Sequence, residues 1–303
     1  AIANDIDLSG TGVSSAGALQ NTNTSQGSTP TLTGTITLLA SSSLGGSANY
    51  ILDSTSSNIS GSGKALTKVG GNTITLNDAN TYTGGTTVNA GILKFGSDYV
   101  VTASAVTSSP IGTGSLTIGA GGTVDLNAHN FGTVTQTSGT IPSITMSGTG
   151  TSASTLATLT NSSTATGVTV YGGITLTQNG SGLYDIISQA TGATLTSTGV
   201  IANSASGTPT KLQIGTSGNT GTIILGNGST ASTYSGGTTV AYGSLRAAGN
   251  ASAFGTAKVT VNDGATLDVY GYAIANDIDL SGTGVSSAGA LQNTNTSQGS
   301  TPT

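Results

Sequence analysis

The chain holds 303 residues, of which 48 are glycine, 6% are charged and none is cysteine or tryptophan; the net charge is −5. The lack of cysteine excludes disulfides, thiolate metal sites and cysteine nucleophiles, and six scattered basic residues make no phosphate-binding patch for nucleic acid. Irregular glycine spacing excludes collagen, short apolar runs exclude a membrane-spanning helix, and a mean hydropathy of +0.11 separates the chain from the usual disordered composition.

From the N-terminus onward the pattern has period two. Ile2, Ile6 and Leu8 take one row, and Asp5 and Asp7 the other. The two aspartates stand about 7 Å apart, a spacing that suits an inverting glycosidase pair. Their row is the solvated one, so they read as a charged outer face that resists lateral aggregation. Thr73–Leu76 alternates in the same way, followed by the string Asn80-Thr-Tyr-Thr-Gly-Gly-Thr-Thr-Val88. Leu116 and Ile118 flank Thr117, and Val124 and Leu126 flank Asp125. His129 lies in a loop with no carboxylate close in sequence but Asp125. The runs end at Gly-Gly, Asn-Asp, Asn-Ala-Gly or Ser-Gly corners. The glycine-rich stretches 119–122 and 215–221 precede no helix that could hold a phosphate and read as further corners. Asp268, Tyr270 and Tyr272 share one row opposite Leu267 and Val269. They are a candidate surface contact that could stack on sugar rings or meet a neighbouring fibre, with a cross-turn tyrosine ladder as the plainer reading. The calcium nonapeptide and EF-hand signatures are absent. No catalytic, cofactor-binding or metal-binding residue is assigned and the chain is not expected to be an enzyme.

Two repetitions organise the chain. Residues 1–31 recur without a mismatch as 273–303, an offset of 272. This predicts one full tandem period, 1–272, followed by the start of the next, 273–303, with an engineered duplication as the alternative. Inside the period, Asn80–Val88 recurs as Ser232–Val240, and the segments after them, Gly112–Leu126 and Gly255–Val269, also correspond. The change of offset from 152 to 143 marks about nine extra residues near 97–105, expected as a lateral loop. Tyr171-Gly-Gly-Ile-Thr-Leu176 is a partial third echo.

No segment shows a helical period, so the chain is all-β. Few large aromatics and an unbroken strand pattern across the 272/273 joint favour a slender β-solenoid over a sandwich or barrel. At about 20–25 residues per coil, a period holds roughly a dozen coils and is about 55–65 Å long.

The stretch from Ile59 to Leu93 resembles the autotransporter-associated β-strand repeat, also called the passenger-associated transport repeat. It contains Leu66-Thr-Lys-Val-Gly70, Thr73-Ile-Thr-Leu76 and Asn80–Val88. Thr222 to Leu245 resembles it with a weaker front end, and Ile6–Gln20 with Gly34–Leu38 is similar to the spacer that accompanies it. The resemblance implies a right-handed parallel β-helix in a secreted or surface-anchored protein of a Gram-negative-type bacterium, with export signal and anchor elsewhere in the precursor. The expected role is a structural segment of an extracellular fibre, filament or adhesin stalk. Its expected partners are further copies of the repeat placed end to end, and like chains or glycans met laterally. An adhesive module is the alternative, and a β-helical polysaccharide-degrading enzyme comes third.

Overall fold

A computed structural model describes residues 1–53, 59–102, 105–133, 141–149, 156–164, 167–177, 184–205, 208–218, 220–226 and 231–296. Among them the regular secondary structure is short strands joined by turns and irregular chain, and the helical elements are two three-residue 3-10 turns, Val13–Ser15 and Val285–Ser287. The strands of the three large sheets stack in parallel along one axis, which makes the chain a parallel β-helix, the architecture that the sequence favours over a sandwich or barrel.

Each turn runs over three faces. The first is an eleven-stranded sheet that extends from Thr31–Leu32 to Ile278–Leu280. The second carries Val168–Val170, Thr194–Ser197, Thr222–Leu225, Ser244–Ala247, Thr266–Asp268 and Leu291–Gln292. The third carries Leu66–Lys68, Thr86–Val88, Leu116–Ile118, Ile144–Met146, Ile174–Leu176 and Ile201–Asn203. In the N-terminal turns the second face is narrower, and one strand, Ile36–Gly46, rounds the corner to the third. Its start pairs with Ile6–Leu8 and Ile59–Ser60, and its end pairs with Leu19–Asn21 and Leu66–Lys68.

Alternation of side chains gives each face one inward row and one outward row. On the first face, one inward file runs through Tyr50, Ile74, Leu93, Val124, Leu159, Ile187, Ile214, Val240, Val261 and Leu280, each in register with the next. Its members are at most 1% exposed, except Leu280 at the open end, which is 46% exposed. Such burial is worth about 1.5–3 kcal/mol per large apolar side chain, so the file is a main source of cohesion between turns. The outward file of the third face is Thr67, Thr87, Thr117, Thr145 and Thr175, also in register and free of charge.

The eleven strands of the first face span ten turns. Ile6–Leu8 lies on the face that follows Thr31–Leu32 in the winding, whereas its copy, Ile278–Leu280, lies on the first face itself. A 272-residue offset therefore spans ten and two-thirds turns, somewhat fewer than the dozen expected, and about 51 Å at the inter-strand spacing. The difference comes from lateral excursions that consume residues without advancing the coil. The extra residues near 97–105 form one of them, an antiparallel hairpin of Val100–Thr102 and Ala105–Ser108. Residues 103–104 of that segment lie outside the described residues.

Candidate functional site

The string shared by 80–88 and 232–240 builds a corner. Tyr82 and Tyr234 turn inward and are wholly buried. The Tyr82 hydroxyl lies 2.6 Å from Thr86 Oγ1, which in turn donates to the Ile111 carbonyl at 2.9 Å. Since Thr86 spends its proton on that carbonyl, Tyr82 is the donor between the two hydroxyls. Tyr234, Thr238 and the Phe254 carbonyl repeat the arrangement at 2.6 and 3.2 Å. Burial pushes both phenols well above their ordinary pKa, so they stay neutral donors. The next turn packs a glycine on each ring: Gly112 on Tyr82 and Gly255 on Tyr234, both at φ +72°. Asn80 ties three turns together, accepting from Ile59 N at 2.7 Å and donating to the Pro110 carbonyl at 2.7 Å. The partial echo at Tyr171 lacks the buried ring, since Tyr171 is only half-buried.

A second recurring constellation joins a cation, a buried carboxylate and a hydroxyl on successive turns. Asp125 accepts from Ser162 Oγ at 2.6 Å and from the backbone N–H groups of Ser162 and Asn127, with Lys94 Nζ 3.6 Å away. Asp268 accepts from Thr294 Oγ1 at 2.6 Å, from the N–H groups of Thr294 and Tyr270, and from Arg246 Nε at 2.8 Å. Asp268 is thus 3% exposed and satisfied from three sides. The strand ends there: Tyr270 takes φ +47° and lies under the Arg246 guanidinium, 4.6 Å from ring centroid to Cζ. The alternation read from the sequence does not continue past Asp268. Tyr270 and Tyr272 are half-buried beside it and do not form one outward row with it.

The other titratable groups are dispersed. Lys68 is 1% exposed, and its ammonium donates to the carbonyls of Val69, Gly70 and Ala90 at 2.7–3.0 Å; burial pulls its pKa down to about 8. Asp185 is fully buried. Its Oδ1 accepts from Gly148 N at 2.8 Å, its Oδ2 has no donor among the described residues, and desolvation pushes its pKa up to about 7. His129 Nδ1 sits 3.0 Å from Asp98 Oδ1, a partner 31 positions away that reading the sequence missed. Asp5 and Asp7 are exposed, and Asp5 accepts from Thr35 N.

Among the described residues no three His or Asp side chains gather as a metal site would require. The hollow beside Asn21, Asn23, Gln26, Pro30 and Asn49, about 320 Å³, and the one along Thr83–Thr87 with Gly114, Ser115 and Thr117, about 400 Å³, contain neither carboxylate nor imidazole. The recurring constellations join successive turns through hydrogen bonds and ion pairs.

The two identical segments fold alike. Each makes a 3-10 turn with a serine at φ +51° or +52° (Ser14 or Ser286), but each displays a different neighbour. Ile6–Leu8 is covered by Ile36–Leu38 above it, which leaves Leu8 5% exposed, whereas Val13 below is 85% exposed. In the second copy Ile278–Leu280 lies on Val259–Val261, and Asp279 accepts from Lys258 at 2.9 Å. Asn276 Nδ2 donates to the Gly255 carbonyl, Val285 N donates to Thr266 Oγ1, and Val285 is half-buried. Residues 297–303 of this copy lie outside the described residues.

The family model described as the passenger-associated transport repeat matches residues 66–95 and 219–247. Each stretch contains the tyrosine and threonine of one corner, Tyr82 with Thr86 or Tyr234 with Thr238, and one cation of the carboxylate clamp, Lys94 or Arg246. No curated protein and no solved structure matches the chain.

Proposed function

We propose that a chain carrying the passenger-associated transport repeat twice serves as a structural segment of an extracellular bacterial fibre, filament or adhesin stalk. In this reading 1–272 is one period and 273–303 opens the next. The observation that carries it is the joint between them. The second copy does not hang from a linker; it continues the coil through paired strands and through Asn276, Asp279, Val285 and Thr294. Together the two copies supply both neighbours of one segment, which is what an endless stack needs. Stability then accumulates turn by turn, and reach grows with the number of periods. The reading assigns the chain mechanical work and no chemical step.

Lateral contact with a like chain or a glycan is the second reading. The antiparallel pair Val100–Thr102 and Ala105–Ser108, with Val100 45% exposed, supports it.

The test is labelling of intact cells of the native host with antibody to this chain, together with electron microscopy of released material. Surface labelling is expected, with unbranched rods whose length changes by about 51 Å for each 272-residue unit added or removed. Globular particles, or antigen reached only after lysis, would overturn the proposal.

A further inference from the structure

The period does not close on a whole number of turns. Ile6–Leu8 occupies the face after the first, and its copy occupies the first; Leu19–Asn21 occupies the third face, and its copy Leu291–Gln292 the second. Both markers step back by one face, in agreement with ten and two-thirds turns. The two passenger repeats obey the same rule at half the interval. Thr86–Val88 lies on the third face and Thr238–Val240 on the first, the next in the winding. The first-face strand that follows Thr86–Val88 is Gly91–Phe95, and five steps along that sheet lead from it to Thr238–Val240. The two repeats are therefore five and one-third turns apart. From Thr238–Val240, two turns reach Ile278–Leu280. From Ile6–Leu8, which that strand copies, three and one-third turns lead to Thr86–Val88. The interval to the next period's repeat is thus again five and one-third turns, although it takes 120 residues instead of 152.

We infer that the array is a three-sided display: successive passenger repeats follow a three-fold screw, each about 26 Å further along the axis and one face onward, and every lateral feature of a period is shown on three sides in turn. The inference rests on the tandem reading above. The hairpin 100–108 emerges between Gly91–Phe95 and Leu116–Ile118, on the second face. Its copies in the following periods emerge on the first face and then the third. The uncharged threonine file Thr67–Thr175 turns with it. A filament whose side features lie along one edge offers contacts in one direction. A filament stepping by 120° meets partners, like chains included, all around its axis, and its bending stiffness is equalised because no face carries all the loops. Its true axial repeat is three periods, 32 turns or about 154 Å.

The absence of native cysteine gives the test a clean label. Thr102→Cys, at an exposed position of the hairpin, is introduced once per period into the full chain extended to four periods, and maleimide-linked gold is located by electron cryo-tomography. The expected result is a continuous rod with labels spaced about 51 Å along the axis and rotated by 120°, the fourth label standing over the first. A continuous rod with all labels in one line would overturn the screw and leave the array standing. Separate bodies joined by linkers would overturn both. Thr239→Cys, on an outward strand position of the first face, repeats the measurement if the hairpin variant misfolds.

Discussion

A carboxylate shut off from solvent in this coil, on its inner row or under a covering loop, must be neutralised by a cation, saturated with donors or protonated. Asp125 and Asp268 follow the first two courses, with Lys94 or Arg246 on one turn and Ser162 or Thr294 on another. Asp185 follows the third: one N–H serves it, no cation pairs with it among the described residues, and its pKa rises to about 7. Its folded pKa lies above the unfolded value of 3.8, so the folded state holds the proton more tightly. The stability tied to this group is fully present below about pH 4 and is lost as pH rises through 7. Asp185→Asn keeps an oxygen for the Gly148 N–H and removes the titration. In thermal melts at pH 4.5 and pH 8, the wild type is expected to lose on the order of 3 kcal/mol from this group, and the variant to lose little. Equal pH dependence of the two proteins would mean that Asp185 is charged in the folded state.

At the scale of the element, the passenger repeat is a corner made rigid by a ring inside the coil and a glycine on top of it. A Cβ on Gly255 would meet the Tyr234 carbonyl at 2.4 Å and the ring at 3.0 Å, in a backbone conformation that L side chains rarely adopt. Gly255→Ala is therefore expected to cost at least about 2 kcal/mol. Tyr234→Phe keeps the ring and loses only the bond to Thr238, for about 1 kcal/mol. Denaturant midpoints of the two variants check the order, and a reversed order would mean that the hydroxyl, rather than the packing, fixes the corner. The recurrence of this string, its strands and its corners were legible in the sequence because they are local. Its fastenings were not. Lys68 is buried on three carbonyls, and one of them, Ala90, is 22 positions away. Asp268 looked like part of an outward row with Tyr270, but Thr294, 26 positions on, closes over it. A partner one turn away is a neighbour in space and a stranger in sequence.

For the whole molecule, the sequence shows the 272-residue identity plainly but not its phase, because residues spent in side excursions such as the hairpin of Val100–Thr102 and Ala105–Ser108 do not advance the coil. Only the paired strands count turns. They also show where the coil is unsupported: Leu280 and Leu291 are each 46% exposed on the upper edge, and Val13 is 85% exposed on the lower. In a one-dimensional stack the last turns have a single neighbour and open locally at small free-energy cost, whereas an interior turn opens only with both interfaces. Amide hydrogen exchange of this chain, compared with one lengthened by a further 272 residues, isolates that difference at Ile278–Leu280, which is terminal in the first and interior in the second. Protection there is expected to rise by at least about 100-fold, to the level of Val240 and Val261, while that of Ile6–Leu8 stays unchanged. Exchange that stayed fast at the joint would show that adjoining periods do not share a continuous sheet, and the mechanical role would lose its physical basis.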